Sequence, residues 1–154
     1  MTIIRKATLE DVEQIFHLID DYAQKGIMLP RSRQALERSI DTFTVAEVEE
    51  EIVGIGSLVR LGKDLVEIRS LGIAEAYKGR GIGTLLVDKL LKEAEKLNIP
   101  QVMALTYEVR FFEKNGFHVV DKEIFPEKVW TDCIHCKKQH CCDEIAVLRT
   151  IGLT

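Results

Sequence analysis

Three alternate glycines, Gly79, Gly81 and Gly83, restrict the fold more than any other feature of the sequence, because of where they lie. The apolar residues of 65–73 follow a strand pattern, and those of 81–97 recur at helical spacing, so the glycines join a strand to a long amphipathic helix. In such a loop, backbone amides can converge on an anion at the positive end of the helix dipole. We therefore predict a loop that binds a pyrophosphate.

Two other nucleotide-binding loops do not fit this segment. A P-loop needs a lysine immediately before its Ser or Thr, whereas Thr84 follows Gly83 directly. The dinucleotide fingerprint needs Gly-x-Gly-x-x-Gly inside a parallel sheet, and neither the spacing nor the predicted strands agree. A simple tight turn is the remaining alternative, but it requires one glycine and not three. Lys78 and Arg80 also supply the positive charge that a pyrophosphate needs.

The rest of the chain alternates between strand and helix patterns. A strand at 3–4 precedes a helix that Thr8 caps, and Ser32 caps a second, shorter helix. Further strands are predicted at 42–48, 52–61, 65–73, 101–106, 117–120 and 144–148, with a short helix at 109–114. Short turns join the early strands as an antiparallel meander. This order predicts an α/β class with a central, mostly antiparallel, twisted sheet and flanking helices.

Composition narrows the class of protein. The chain has 154 residues, of which 46% are hydrophobic and 30% charged, and this predicts one domain over 1–154 with a cysteine-rich insertion at about 122–142. Neither a membrane span nor a secretion signal is recognisable, so we expect a cytoplasmic protein. A net charge of -4 without a basic stripe argues against nucleic acid as a partner.

A second motif identifies a family. Residues 111–117 read Phe-Phe-Glu-Lys-Asn-Gly-Phe, and residues 78–83 read Lys-x-x-Gly-x-Gly. With the order of elements, these motifs resemble the GNAT acyl-CoA N-acyltransferase superfamily, whose loop usually begins with Gln or Arg where this chain has Lys78. The resemblance implies the GNAT fold with two splayed strands and acetyl-CoA as cosubstrate. It also implies that the pantetheine arm pairs with the edge of Leu71–Ile73 like an added strand. The implied donor-binding residues are Leu71, Gly72, Ile73, Lys78, Gly79, Arg80, Gly81, Ile82, Gly83 and Thr84.

Acetyl transfer to an amine needs a neutral amine, donors for the oxyanion and a proton for the thiolate. Glu67, on the strand before the loop, is the candidate general base, although an ion pair with Arg69 is an equal alternative. On a regular pleat these two residues share one face and Ser70 lies on the other. By resemblance, the oxyanion donor is the backbone N–H near Ile73.

The proton donor is less clear. Many members of the family place a tyrosine as the acid where this chain has Phe112, which has no proton to give. Thr106 and Tyr107, at the end of the following strand, are the candidate replacements. Tyr107 as a core aromatic and water as the acid are the alternatives.

The acceptor is expected to be anionic. Arg31 can hold a carboxylate bidentately, Arg69 adds a second cation, and Ser32 and Ser70 complete the candidate acceptor site. The alternative is that Arg31 is an exposed loop residue and Ser32 is only a helix cap.

Segments 29–32, 67–71 and 125–130 further resemble the acetyltransferase domain of bacterial N-acetylglutamate synthases, in a short stand-alone form. This implies transfer of acetyl from acetyl-CoA to L-glutamate, a step of arginine biosynthesis. The alternatives are another amino acid, a polyamine or a protein amine as acceptor, or an acetyl-CoA-binding regulatory module without turnover. The partner is thus a small-molecule amine, and a homodimer is left open.

The cysteines are concentrated in one short segment. Cys133, Cys136, Cys141 and Cys142 have spacing that permits a tetrahedral structural zinc site, with His140 as an alternative ligand. Reduced thiols or a redox-sensitive pair are the other interpretations.

Overall fold

The computed structural model describes residues 1–124 and 144–151. Seven strands form a mixed sheet in the order β1-β2-β3-β4-β5-β7-β6. The strands are β1 (Thr2–Lys6), β2 (Phe43–Val48), β3 (Glu51–Arg60), β4 (Leu65–Ile73), β5 (Gln101–Thr106), β6 (His118–Val120) and β7 (Ile145–Thr150), and the helices are α1 (Val12–Gln24), α2 (Arg33–Arg38), α3 (Ile82–Lys96) and α4 (Val109–Lys114). The predicted class, a central sheet with flanking helices, is confirmed.

The antiparallel pairing predicted for the first two strands of the meander, β2 and β3, is confirmed. β1 with β2, β2 with β3, β5 with β7 and β6 with β7 are antiparallel, whereas β4 and β5 are parallel. Where the observed ends of the strands differ from the predicted ends, they differ by one or two residues. β6 begins at His118 because the backbone N–H of Phe117 still donates to the carbonyl of Phe112, which closes the end of α4.

The chain forms two compact units. The first contains Met1–Val59 and Ile68–Glu93, and the second contains Arg60–Glu67 and Ala94–Thr154. The single domain expected from the composition stays a prediction. In the part of the chain that the structure describes, no helix is both long and apolar enough to cross a bilayer.

The first unit has apolar clusters on both faces of its strands. Residues of β2 alternate between the two: Phe43 and Val45 pack with α1 and α2, and Ala46 packs with α3. The cluster with α1 and α2 comprises Val12, Ile15, Leu18, Ile19, Leu36, Phe43, Val45, Ile52 and Ile55, and the cluster with α3 comprises Ala46, Val53, Ile82 and Leu86. The start of α3 is therefore anchored in the core.

The second unit is built on its own strands. The parallel register of β4 and β5 covers Leu65–Glu67, and β5 pairs with β7 along its whole length. Its core comprises the buried residues Met103, Ala146 and Leu148, against which Leu61, Leu65, Leu105 and Val120 pack.

Candidate active site

The glycine loop leads from the end of β4 to α3 in the first unit. Gly79 and Gly81 have φ values of +79° and +81°, a left-handed conformation that residues with a side chain adopt at a cost. A Cβ atom at either position would meet nothing within 4 Å, so the backbone conformation, and not crowding, requires glycine here. The same measurement shows that the space above the loop is open to a ligand.

The loop presents the amino end of a long helix. The backbone N–H of Leu85 donates to the carbonyl of Gly81 at 3.2 Å, so the amides of Ile82, Gly83 and Thr84 precede the first helical hydrogen bond of α3. Ile82 is buried in the core and Tyr77 packs against the same cluster, which holds both ends of the loop in place. Fixed amides at a positive helix end suit the pyrophosphate of an acyl donor.

The two basic residues of the loop, Lys78 and Arg80, are exposed. The ammonium of Lys78 lies 3.0 Å from the carboxylate of Glu75, and this hydrogen bond is the main reason that the pKa of Lys78 is raised. The guanidinium of Arg80 stacks on the ring of Tyr77, 4.9 Å from its centroid. Both cations are thus kept at the loop, where a phosphate would compete with Glu75 for Lys78.

β4 is not a regular strand. Ser70 has φ of +53°, which interrupts the pleat between the candidate base Glu67 and the end of the strand. The predicted alternation of Glu67 and Arg69 against Ser70 assumed an ideal pleat, from which Ser70 departs, and it stays a prediction. Serine carries no sequence signal for a left-handed backbone, so this irregularity could not be predicted.

The far end of β4 holds a contact that the sequence analysis missed. The hydroxyl of Tyr22 donates to the carbonyl oxygen of Ile73 and accepts the N–H of the same residue, each at 2.9 Å. The helical pattern of α1 places Tyr22 with the apolar residues of that helix. The sequence contains one indication of this contact, which is the hydroxyl of Tyr22 itself, because a buried tyrosine hydroxyl usually forms a hydrogen bond. The backbone N–H that is expected to bind the oxyanion lies near Ile73.

The three candidate catalytic side chains belong to the second unit. Glu67 is only 6% exposed and lies opposite Met103 in the β4–β5 register. Thr106 is buried, and its hydroxyl accepts the backbone N–H of Glu108 at 2.7 Å, which is a turn-forming contact. Tyr107 is 37% exposed. Tyr107 therefore suits proton exchange with solvent better than Thr106 does.

Phe112 stands where the resemblance described above implies a tyrosine acid. It is buried, and its ring makes edge contacts with Phe111 and Phe117 at centroid distances of 5.2 and 5.1 Å. Phe112 is thus a core residue of the second unit.

The candidate acceptor residues lie in the first unit. The hydroxyl of Ser32 accepts the backbone N–H of Ala35 at 3.1 Å. Ser32 is therefore the N-cap of α2, the role given above as the alternative to acceptor binding. Arg31 and Arg69 are both half-buried. Arg33, two residues further on, is committed elsewhere: its guanidinium binds the carboxylate of Glu13 in a fork with two contacts of 2.8 Å.

The four candidate zinc ligands, Cys133, Cys136, Cys141 and Cys142, lie outside the described residues. Within 1–124 and 144–151, no group of three or more His, Cys, Asp or Glu side chains could hold a metal ion. The zinc site stays a prediction.

Comparisons with known proteins agree with this geometry. Residues 9–117 match the Acetyltransferase (GNAT) family. The chain is 37% identical over 150 residues to an uncharacterized N-acetyltransferase of Chlorobaculum tepidum, and the match covers 97% of both chains. It is also 37% identical over 133 residues to an amino-acid acetyltransferase of Mycobacterium tuberculosis, covering 81% of this chain and 76% of that one.

Two solved structures have the same fold. N-acetylglutamate synthase from Neisseria gonorrhoeae, complexed with coenzyme A and N-acetyl-glutamate, superposes with a TM-score of 0.88 at 25% identity; the match covers 99% of this chain and 35% of the synthase chain. A Mycobacterium tuberculosis protein in complex with CoA and NLQ superposes with a TM-score of 0.85 at 31% identity, covering 97% of this chain and 99% of that chain.

Proposed function

The chain belongs to the GNAT acetyltransferase family and is an acetyl-CoA-dependent N-acetyltransferase, and from this we propose that it acetylates the α-amine of L-glutamate. The observation that carries the proposal is the match, over nearly the whole chain, to a synthase complexed with coenzyme A and N-acetyl-glutamate. The product would be N-acetylglutamate, and the reaction a step of arginine biosynthesis.

The glycine loop supports the donor half of this proposal. Gly79 and Gly81 leave the backbone open, and the first amides of α3 follow directly. We assign the pyrophosphate of acetyl-CoA to these amides, with Lys78 and Arg80 as counter-charges. The relatives that hold coenzyme A support the same ligand.

Two arginines support the acceptor half. Arg31 and Arg69 belong to the same unit as the loop, and both are half-buried. A half-buried guanidinium binds a carboxylate more strongly than a fully hydrated one, because less water competes. Glutamate has two carboxylates to offer, whereas a polyamine would be repelled by both arginines.

The proposed chemistry is direct acyl transfer. Glu67 takes a proton from the glutamate ammonium, directly or through water, and the free amine attacks the thioester carbonyl. The C–N bond forms, the attacking nitrogen loses its second proton to solvent, the C–S bond breaks, and the electron pair leaves with sulfur as the coenzyme A thiolate. A backbone N–H near the end of β4 stabilises the oxyanion. Tyr107 or solvent returns a proton to the thiolate.

A thiol-release assay tests the acceptor. Acetyl-CoA is supplied with glutamate, with each other amino acid, with a polyamine and with no acceptor. We expect release with glutamate well above the rest. Release with a different amine would replace the acceptor in this proposal, and no release with any of them would favour the non-catalytic module.

Arg31→Ala tests the binding site itself. Loss of a charge-assisted carboxylate contact, worth about 1.5–3 kcal/mol, should raise the KM for glutamate roughly 10- to 100-fold and leave the KM for acetyl-CoA unchanged. Arg33→Ala is the matched control, because Arg33 binds Glu13 and should leave both KM values unchanged. Equal increases in both KM values for Arg31→Ala would reject the assignment.

A further inference from the structure

Tyr22, at the end of α1, binds the backbone of β4 as a neighbouring strand would. Its hydroxyl satisfies both polar groups of Ile73, the N–H and the carbonyl, at 2.9 Å each. In a sheet, one residue of an adjacent strand often exchanges the same two hydrogen bonds with its partner. A side-chain hydroxyl here takes the place of one residue of a neighbouring strand.

The direction of the N–H and carbonyl groups of Ile73 follows from the hydrogen bond that the next residue, Ala74, makes. The N–H of Ala74 donates to the carbonyl of Val53 on β3 at 2.7 Å. Because N–H and C=O groups alternate between the two sides of a strand, those of Ile73 point away from β3. Tyr22 therefore satisfies the side of Ile73 that faces away from β3.

Close packing holds the Tyr22 ring on this side of β4. A Cβ atom at Gly72 would come within 3.2 Å of Cζ and 3.3 Å of Cε1 of Tyr22, so the ring lies nearly on the backbone of β4. The ammonium of Lys78, the first residue of the glycine loop, lies 5.3 Å from the ring centroid. Tyr22 thus touches both β4 and the donor loop.

We propose that Tyr22 occupies the place of the acyl donor on β4 in the free enzyme, and that the two amides of the pantetheine arm displace its hydroxyl when the donor binds. This inference rests on the proposed function, because it requires the arm to pair with Leu71–Ile73. The N–H of one amide and the carbonyl of the other lie on either side of a short spacer, as the N–H and carbonyl of a strand residue lie on either side of its Cα, and together they supply the donor and the acceptor that the phenol supplies. The exchange leaves Ile73 satisfied, but the donor must first break two hydrogen bonds of the protein.

Tyr22→Phe tests the displacement, because it removes the hydroxyl and keeps the ring. Isothermal titration should show coenzyme A binding roughly three- to tenfold more tightly to the variant, since the two bonds no longer compete. The control ligand is 3′-phospho-ADP, the part of coenzyme A that retains the pyrophosphate and lacks the pantetheine arm. Its affinity should be the same for both proteins. Unchanged or weaker binding of coenzyme A, or an equal change for both ligands, would overturn the inference.

A second measurement uses the unsubstituted sequence. Protein labelled with 3-fluorotyrosine gives a fluorine signal for residue 22, which Tyr22→Phe identifies by its loss. Because Lys78 lies 5.3 Å from the Tyr22 ring, 3′-phospho-ADP should shift this signal slightly, and coenzyme A should shift it clearly further. A signal that responds to neither, or equally to both, refutes the displacement. If coenzyme A binds neither protein, the donor half of the proposed function fails too. If it binds but glutamate is not acetylated, only the acceptor is wrong.

Discussion

Replacing Asp11 by Asn should destabilise the protein at neutral pH, because this carboxylate joins three segments of the first unit. It accepts Nη1 and Nη2 of Arg5 at 2.8 and 3.0 Å, and the backbone N–H of Thr8 at 2.8 Å. Arg5 in turn donates to the carboxylate of Glu47 on β2. The network ties β1 to β2 and to the start of α1.

The size of the effect follows from burial. The Asp11 side chain is 8% exposed, so a group that replaces the carboxylate lies where little water can reach it. Asn keeps one acceptor oxygen but places an NH₂ group against a donor, which leaves a buried donor unpaired at about 1–3 kcal/mol. Arg5 is 32% exposed and keeps Glu47, so the loss is smaller than for a fully buried ion pair. We expect a loss of about 2–3 kcal/mol in the free energy of unfolding.

The loss should depend on pH in a defined direction. Hydrogen bonds from Arg5 are the main reason that the pKa of Asp11 lies below its ordinary value of 3.8. A lowered pKa in the folded state contributes stability above the unfolded pKa, and this stability is lost as the pH falls through the folded pKa. The gap in the free energy of unfolding between the wild type and Asp11→Asn should be constant from about pH 7 to about pH 5. It should narrow below about pH 4.

Urea unfolding followed by circular dichroism measures this gap. The control is Asp88→Asn, because Asp88 is exposed on α3 and its substitution should change the free energy by less than about 0.5 kcal/mol. Our reasoning about the network would be refuted by an Asp11 variant as stable as this control. A gap that keeps its full size down to about pH 3 would refute the assigned pKa direction.

Three further predictions concern the site and the second unit. Glu67→Gln should lower kcat roughly 100-fold or more and leave the Kd for coenzyme A unchanged; undiminished turnover would exclude Glu67 as the base. Gly116→Ala should reduce stability by about 1–3 kcal/mol, because φ is +88° and the added Cβ would lie 2.9 Å from Nη1 of Arg149. A melting temperature equal to that of the wild type would contradict this strain. If the cysteines at 133–142 bind zinc, purified protein should contain it and chelators should lower the melting temperature. Metal-free protein with an unchanged melting temperature would reject the zinc site.

The sequence predicted those parts of the site that depend on neighbouring residues. The strand at Leu65–Ile73 and the short helix at Val109–Lys114 have the bounds that periodicity indicated, and α3 differs from 81–97 by one residue at each end. The cap of α2 by Ser32 also follows from its local sequence. Each of these features needs only a side chain and the backbone within a few residues of it.

Other features of the site had no such local signal. Ser70 adopts a left-handed backbone although a serine there looks like any strand residue. The hydroxyl of Thr106 is used by the turn at Glu108, which reduces its value as a catalytic group. The acid position is filled by Phe112 as a core residue, and no local pattern indicates what replaces it.

The amino acid order alone determined that open amides would stand at the start of a long helix, because glycine spacing and helical periodicity act over a few residues. Only the tertiary structure decided that the phenol of Tyr22 reaches Ile73, a residue 51 positions away in the chain. That contact depends on how α1 packs on β4 and on the missing side chain at Gly72. Such packing is the sum of many apolar contacts between distant segments, which no stretch of sequence specifies by itself.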